Sequence, residues 1–99
     1  MGVRDPEKYR RLGIESSAAK LRALKLCAMG PAPDEVAEQR ALWRRAGDQE
    51  LERLALVDDP SPHTEARARL EALGCYQRAG EEARAIEQER ILQEKGLPR

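Results

Sequence analysis

The chain has 99 residues, of which 40% are apolar and only 3% aromatic, so it can form at most one small domain with a modest core. Charged residues make up 36% of the chain and cancel to a net charge of zero, which argues against a dedicated nucleic-acid binder. Alanine, leucine, arginine and glutamate dominate, and these strong helix formers, without any alternating strand pattern, predict an all-α fold.

The zero net charge hides an asymmetry along the chain. Counted by thirds, residues 1–33 carry a charge of +4, residues 34–66 carry −5 and residues 67–99 carry +1. A chain with a basic start and an acidic middle can meet another copy of itself, or it can present its basic end to an acidic partner. The charge pattern therefore keeps both a homo-oligomer and a complex with another protein open.

Proline and glycine divide the chain into predicted helices. Prolines that suit a first helical position are Pro6, Pro33 and Pro62. Glycines that suit a left-handed helix end are Gly13, Gly47, Gly80 and Gly96. The helices predicted between these marks cover residues 6–12, 14–29, 33–46, 48–58, 62–79 and 81–95. We expect them to form three hairpins in one domain, 1–99, with units of approximately 1–30, 31–60 and 61–99.

Apolar residues recur at helical spacing and predict which helix faces are buried. One stripe contains Ile14, Ala18, Leu21, Leu24 and Ala28. Another contains Ala66, Leu70, Leu73 and Tyr76. The last helix has no narrow apolar face, so we expect it to be incompletely packed or covered by a second chain, with little to bury Ile91, Leu92 and Leu97.

All three aromatic residues stand four residues before a glycine. The pairs are Tyr9 with Gly13, Trp43 with Gly47, and Tyr76 with Gly80, and the aromatics are 34 and 33 residues apart. This period is typical of stacked helical hairpins. The glycine would permit the turn and the aromatic would fill the wedge between the two helices, so we interpret all six residues as structural. We assign a helix-dipole role to the arginine two residues after each aromatic, namely Arg11, Arg45 and Arg78.

With this motif the chain resembles the tetratricopeptide repeat family, in which an aromatic near the end of a first helix precedes a glycine at the turn and a small residue in the second helix. The third unit matches best, through Tyr76, Gly80 and Ala85, whereas Glu52 replaces the small residue in the second unit. The resemblance implies a short array of antiparallel helical hairpins that holds a peptide on a concave face. The family's groove positions that we select here as partner-binding are Arg10, Arg44, Arg67 and Gln77.

The arginines at these positions predict that the partner is an acidic segment of another protein, because guanidinium groups bind carboxylates in bidentate pairs. The expected function is that of a small non-enzymatic adaptor. Two alternatives stay open: a self-assembling structural homo-oligomer, and an accessory nucleic-acid binder through the basic N-terminal third. The basic stretch of residues 19–26 could contact an anionic membrane surface or phosphates, but we expect an ordinary helix with its leucines in the core.

Other kinds of site have little support in the sequence. No nucleophile motif accompanies the single histidine, His63, so no enzyme activity and no catalytic residue are predicted. Cys27 and Cys75 have no metal-binding or haem-attachment spacing, and we expect two buried free thiols, no metal and no cofactor. Because no apolar run reaches the roughly 18 residues of a membrane span and no signal-peptide core is visible, we expect a cytoplasmic protein.

Overall fold

The computed structural model of the chain describes residues 2–28, 30 and 32–99. Within this part, the chain forms four helices: α1 (Pro6–Ala28), α2 (Pro33–Ala55), α3 (Pro62–Ala79) and α4 (Glu82–Glu94). The predicted all-α fold is confirmed. A pair of two-residue antiparallel strands, β1 (Gly2–Val3) and β2 (Val57–Asp58), was not predicted, and it ties the segment before α1 to the segment after α2.

Each helix packs against the next one in the chain, and neighbouring helices run antiparallel. In α1, the Oγ of Ser16 donates a hydrogen bond to Glu50 of α2, whereas Arg22, further along α1, reaches Glu38 nearer the start of α2. In the contacts of α2 with α3, and of α3 with α4, residues further along one helix likewise contact residues nearer the start of the next, as antiparallel packing requires. This sequential packing agrees with the predicted array of antiparallel helices.

The predicted helix starts are confirmed at all three prolines, Pro6, Pro33 and Pro62. In front of two of them a side chain accepts a hydrogen bond from a free amide of the first turn. Oδ1 of Asp5 accepts from the N–H of Lys8 at 3.1 Å, and Oγ of Ser61 accepts from the N–H of Thr64 at 3.2 Å. A helix leaves these amides unpaired, so the two caps stabilise the starts of α1 and α3.

The helix ends predicted at Gly13 and Gly47 are wrong. Because α1 and α2 continue through Gly13 and Gly47, the chain forms two long hairpins, α1 with α2 and α3 with α4, instead of three. Gly80, with φ 72°, does end α3, and Gly96, with φ 61°, follows α4. α2 ends at Ala55, before the predicted end at residue 58, and the predicted end of α1 at residue 29 lies outside the described residues.

Alanines supply much of the core. One cluster joins α1, α2 and α3 and contains Ala19, Ala23, Trp43, Ala46, Cys75 and Ala79. A second joins α3 to α4 and contains Ala72, Tyr76 and Ala85. The small side chains let the helices approach closely, while the two aromatic rings contribute most of the large apolar surface that is buried.

The prediction of the buried face is right for α3 and wrong for α1. Ala66 and Tyr76 are buried as predicted, with Leu70 and Leu73 partly buried. The predicted α1 stripe is exposed throughout, and the residues that face the core are Leu12, Ser16, Ala19 and Ala23. The reason is steric, since the bulky Trp43 of α2 needs the small alanines opposite it. The leucines of the 19–26 stretch accordingly do not enter the main core cluster.

The expectations for α4 and for the cysteines also change. Leu92 is buried, and Ile91 and Leu97 are partly buried, so α3 covers the residues that were expected to lack cover. Ile86 is the large apolar residue that α4 leaves exposed. Cys75 is buried as predicted, whereas Cys27 is exposed, and both are free thiols. In the part of the chain that the structure describes, no helix combines the length and the apolar character needed to cross a bilayer.

Candidate functional site

A groove lies between α1 and α3, and α2 forms its floor. Both outer helices pack against α2, and the space between them holds a cavity of about 500 Å³. The charged and aromatic residues that line this cavity are Tyr9, Lys20, Glu50, Arg53, Arg67 and Glu71. Such a polar concavity between helices is a common position for a binding site.

One ion-pair network crosses the groove. Nζ of Lys20 on α1 lies 3.0 Å from Oε2 of Glu71 on the opposite wall and 3.4 Å from Oε1 of Glu50 on the floor. Burial alone would lower the pKa of Lys20, but the hydrogen bond to Glu71 and the charges of both carboxylates raise it above its ordinary value. The protonated amine therefore links all three helices.

The other charges on the floor are also paired. The buried hydroxyl of Ser16 donates to Oε1 of Glu50 at 2.8 Å, and Nη1 of Arg53 lies 3.8 Å from Oε2 of the same carboxylate. Nε of Arg53 donates to the backbone oxygen of Tyr9 at 3.1 Å. These contacts satisfy Glu50 and fix Arg53, so the floor is a preorganised polar surface.

An arginine of the next helix lies over each aromatic ring. The distances from guanidinium carbon to ring centroid are 4.1 Å for Arg53 over Tyr9, 4.6 Å for Arg78 over Trp43, and 5.8 Å for Arg84 over Tyr76. Such cation–π contacts contribute about 0.5–1 kcal/mol each at exposed sites. The repeated aromatic therefore marks a repeated contact between successive helices.

In the first two cases the glycine of the motif lies at a close contact with the next helix. A Cβ atom at Gly13 would lie 2.9 Å from the guanidinium carbon of Arg53, and one at Gly47 would lie 2.9 Å from Cε1 of Tyr76. At both positions the missing Cβ therefore lets a side chain of the next helix pack directly against the backbone. Gly80 differs, because its left-handed conformation ends α3 as the turn prediction required.

Tyr76 is held firmly in this packing. Its hydroxyl donates to Oδ1 of Asp48 at 2.6 Å, and Arg84 lies over its ring. Burial is the main cause that raises the pKa of Tyr76, and the neighbouring Asp48 adds to it. The nearby Cys75 thiol also has a raised pKa because it is buried, which makes it a poor nucleophile at neutral pH.

Two arginines on the α3 wall have no carboxylate partner within the described residues. Arg67 lines the cavity, and Arg78 covers the Trp43 ring on the floor. They are eleven residues apart, which is about three helical turns, so both lie on the same face of α3 with their Cα atoms about 16 Å apart along the helix. This wall therefore presents two guanidinium groups that are free to bind anions.

The structure brings two of the four predicted binding residues to neighbouring concavities. Arg67 lines the groove cavity, and Arg10 borders a shallow hollow that shares Tyr9 and Arg53 with it. Arg44 instead lies 3.7 Å from Glu81, at the turn between α3 and α4. Gln77 is exposed and stands about 80° around α3 from Arg67, given 100° of rotation per residue.

Arg78 does not line the cavity itself, but it shares the α3 face of Arg67 and contacts Trp43, and no binding role was predicted for it from the sequence. It was assigned a dipole role together with Arg11 and Arg45. Arg78 does lie in the last turn of α3, whereas Arg11 and Arg45 lie far from the C-terminal ends of α1 and α2, where the dipole argument does not apply. The spacing of eleven residues from Arg67 is the signal that would have placed Arg78 on the same wall. His63 lies on the surface at the start of α3.

No protein family, curated protein or solved structure matches this chain. Likeness to the tetratricopeptide repeats therefore consists of the sequence motif and the antiparallel packing of successive helices. Within the residues that the structure describes, no group of three or more histidine, cysteine, aspartate or glutamate side chains could hold a metal ion.

Proposed function

We propose that this chain is a small non-enzymatic adaptor that binds an acidic segment of another protein in the groove between α1 and α3. The observation that supports this most is the pair Arg67 and Arg78, two guanidinium groups on one wall without a carboxylate partner in the described chain. Guanidinium groups bind carboxylates through two parallel hydrogen bonds, which gives such a wall selectivity for acidic side chains.

The separation of the two arginines suggests the spacing of the acidic residues. An extended peptide advances about 3.3 Å per residue, and its successive side chains point to opposite faces. Carboxylates about four or about six residues apart would therefore lie on one face, near the spacing of the two arginines. Between them the peptide would pass over the Lys20–Glu71 ion pair, which is already neutral and offers no competing net charge. We therefore propose a partner segment with acidic residues at i and about i+4 or i+6.

We also propose that the two hairpins are degenerate relatives of tetratricopeptide-like repeats. The sequential antiparallel packing of the four helices supports this. A cytoplasmic location is part of the proposal, because the free thiols of Cys27 and Cys75 suit a reducing compartment.

Charge reversal in the groove tests the proposal. We expect Arg67→Glu to weaken binding of a fluorescein-labelled glutamate-rich peptide at least about tenfold, which corresponds to about 1.4 kcal/mol, because a bidentate pair is replaced by repulsion. Fluorescence anisotropy at low and high salt gives the two affinities. Binding by the wild-type chain should weaken as salt rises, since exposed charges are screened.

Arg45→Glu is the matched control. It makes the same charge change at an exposed arginine two residues from Trp43, which places it on the opposite side of α2 from the floor. We expect at most about a twofold loss of affinity, because single exposed charges contribute little to binding free energy. Equal losses of affinity in both variants would mean that only the net charge of the protein matters, which would contradict a specific site at Arg67. Tighter binding of a single-stranded oligonucleotide than of the peptide would favour the nucleic-acid alternative.

A further inference from the structure

The large apolar residues that the described chain leaves exposed lie on its first and last helices. On α1 these are Ile14, Leu21 and Leu24, with 64%, 61% and 48% of their surface exposed, and on α4 the residue is Ile86, with 67%. Neither outer face packs against another helix of the array, since α1 contacts α2 and α4 contacts α3. The array therefore has one apolar face at each end.

The α1 face is shallow and flanked by positive charge. Small residues, Ser17 and Ala18, lie between Ile14 and Leu21 in a hollow along this face. Arg10 and Lys25 stand at the two ends of the stripe, and neither has a carboxylate partner within the described residues. A helix could approach closely between these two cations.

The α4 face has the opposite charge. Ile86 lies one turn after Glu82, which has no cationic partner in the described part of the chain. Further along α4, Arg90 is paired with both Glu87 and Glu94, at 2.5 Å and 2.7 Å, so two carboxylates share one guanidinium. The face around Ile86 is therefore net negative, whereas the face around Leu21 is net positive.

We infer that α4 of one copy packs against α1 of a second copy, so that copies assemble head to tail. Antiparallel packing, as between all successive helices of the array, would bring Glu82 opposite Lys25. Because Ile86 is four residues after Glu82 and Leu21 is four residues before Lys25, the two apolar side chains then meet. Glu94, at the other end of α4, comes within about one turn of the position opposite Arg10.

Charge also argues against symmetric pairing. Two antiparallel α1 faces would bring Arg10 of one copy near Lys25 of the other, and two α4 faces would bring carboxylates together. The head-to-tail contact is heterologous, so each copy keeps one α1 face and one α4 face available, and the assembly grows into an open chain or closes into a ring. The inference goes beyond the proposed function, because it uses Leu21 and Ile86 on the outer faces and not Arg67 and Arg78 on the α3 wall.

Complementation between two variants tests this contact. We expect the wild-type chain to increase in mass with concentration in sedimentation velocity, over the micromolar to millimolar range. Leu21→Glu and Ile86→Glu should each remain monomeric. An equimolar mixture should form a one-to-one dimer that grows no further, because Ile86→Glu supplies an intact α1 face and Leu21→Glu supplies an intact α4 face.

The controls separate assembly from folding and from peptide binding. Ala41→Glu, at an exposed position of α2, should assemble like the wild type, and circular dichroism should show unchanged helicity for all variants. Reversing the charges singly, as Lys25→Glu or Glu82→Lys, should weaken association, and the double variant should restore it. Peptide affinity should not change in any of them, so failure here leaves the groove proposal intact.

Three results would overturn the inference. The first is a wild-type chain that stays monomeric at millimolar concentration. The second is loss of association in Leu21→Glu but not in Ile86→Glu, which would indicate symmetric pairing through α1. The third is a mixture of the two variants that fails to form the dimer.

Discussion

Trp43→Ala is expected to lower the free energy of unfolding by about 3–5 kcal/mol, the usual effect of truncating a buried large aromatic. The indole is buried where α1, α2 and α3 meet, and it contacts the alanines of the main core cluster. Domains of this size have only about 5–15 kcal/mol of stability in total. The variant should therefore be close to unfolding at room temperature.

Urea unfolding followed by circular dichroism measures this loss, because the variant has no tryptophan fluorescence. Tyr9→Ala is the comparison, since it removes an aromatic from the same motif at a half-buried position. We expect a clearly smaller loss for Tyr9. Equal and small effects at both positions, below about 1 kcal/mol, would contradict the assigned core because they are typical of surface sites.

Gly47→Ala should destabilise the protein by up to about 2 kcal/mol, although alanine favours helices. Overpacking typically costs about 1–3 kcal/mol, and the gain in helix propensity offsets about 1 kcal/mol of it. A Cβ here would lie 2.9 Å from Cε1 of Tyr76 and 3.2 Å from Cβ of Cys75. The ring cannot easily move away, because Asp48 holds its hydroxyl and Arg84 covers its face.

Gly74→Ala is the matched control, and it should have the opposite sign. Gly74 also lies inside a helix, but a Cβ there would meet nothing within 4 Å. We expect a gain of up to about 1 kcal/mol from helix propensity alone. Thermal melts of both variants give the comparison, and a stabilising Gly47→Ala would show that α2 and α3 are not in close contact at this point.

The sequence predicts the helix starts better than the helix ends, and the reason lies in the residues involved. A proline with a capping side chain before it suits few positions other than a helix start. A glycine after an aromatic suits both a left-handed turn and a close helix contact, because both need a missing Cβ. Only the packing distinguishes Gly47, against which Tyr76 rests, from Gly80, which ends a helix.

The orientation of α1 also depends on its partner and not on its own pattern. Its leucine stripe and its alanine stripe both have helical spacing, and the leucine stripe was predicted to face the core because it is the more hydrophobic one. Trp43 of α2 selects the alanine side instead, because only small residues fit opposite its ring. This choice turns Leu21 and Leu24 outward and creates the apolar end face of the array.

The candidate site is predicted in part for a related reason. Arg67 was selected from the sequence and does line the groove cavity. Arg44 was selected on the assumption that a turn at Gly47 would make residues 33–46 a first helix. Since α2 continues to Ala55 and forms the floor, Arg44 instead lies beside Glu81.

The most direct test of the account is a nuclear magnetic resonance titration with the glutamate-rich peptide. We predict that the Nε–Hε signals of Arg67 and Arg78 and the backbone amides of the α3 wall between them shift together. The signals of Leu21 on α1 and of Ile86 on α4 should not change. No shift at either arginine, or shifts confined to the outer faces of α1 and α4, would contradict the assignment of the groove as the binding site.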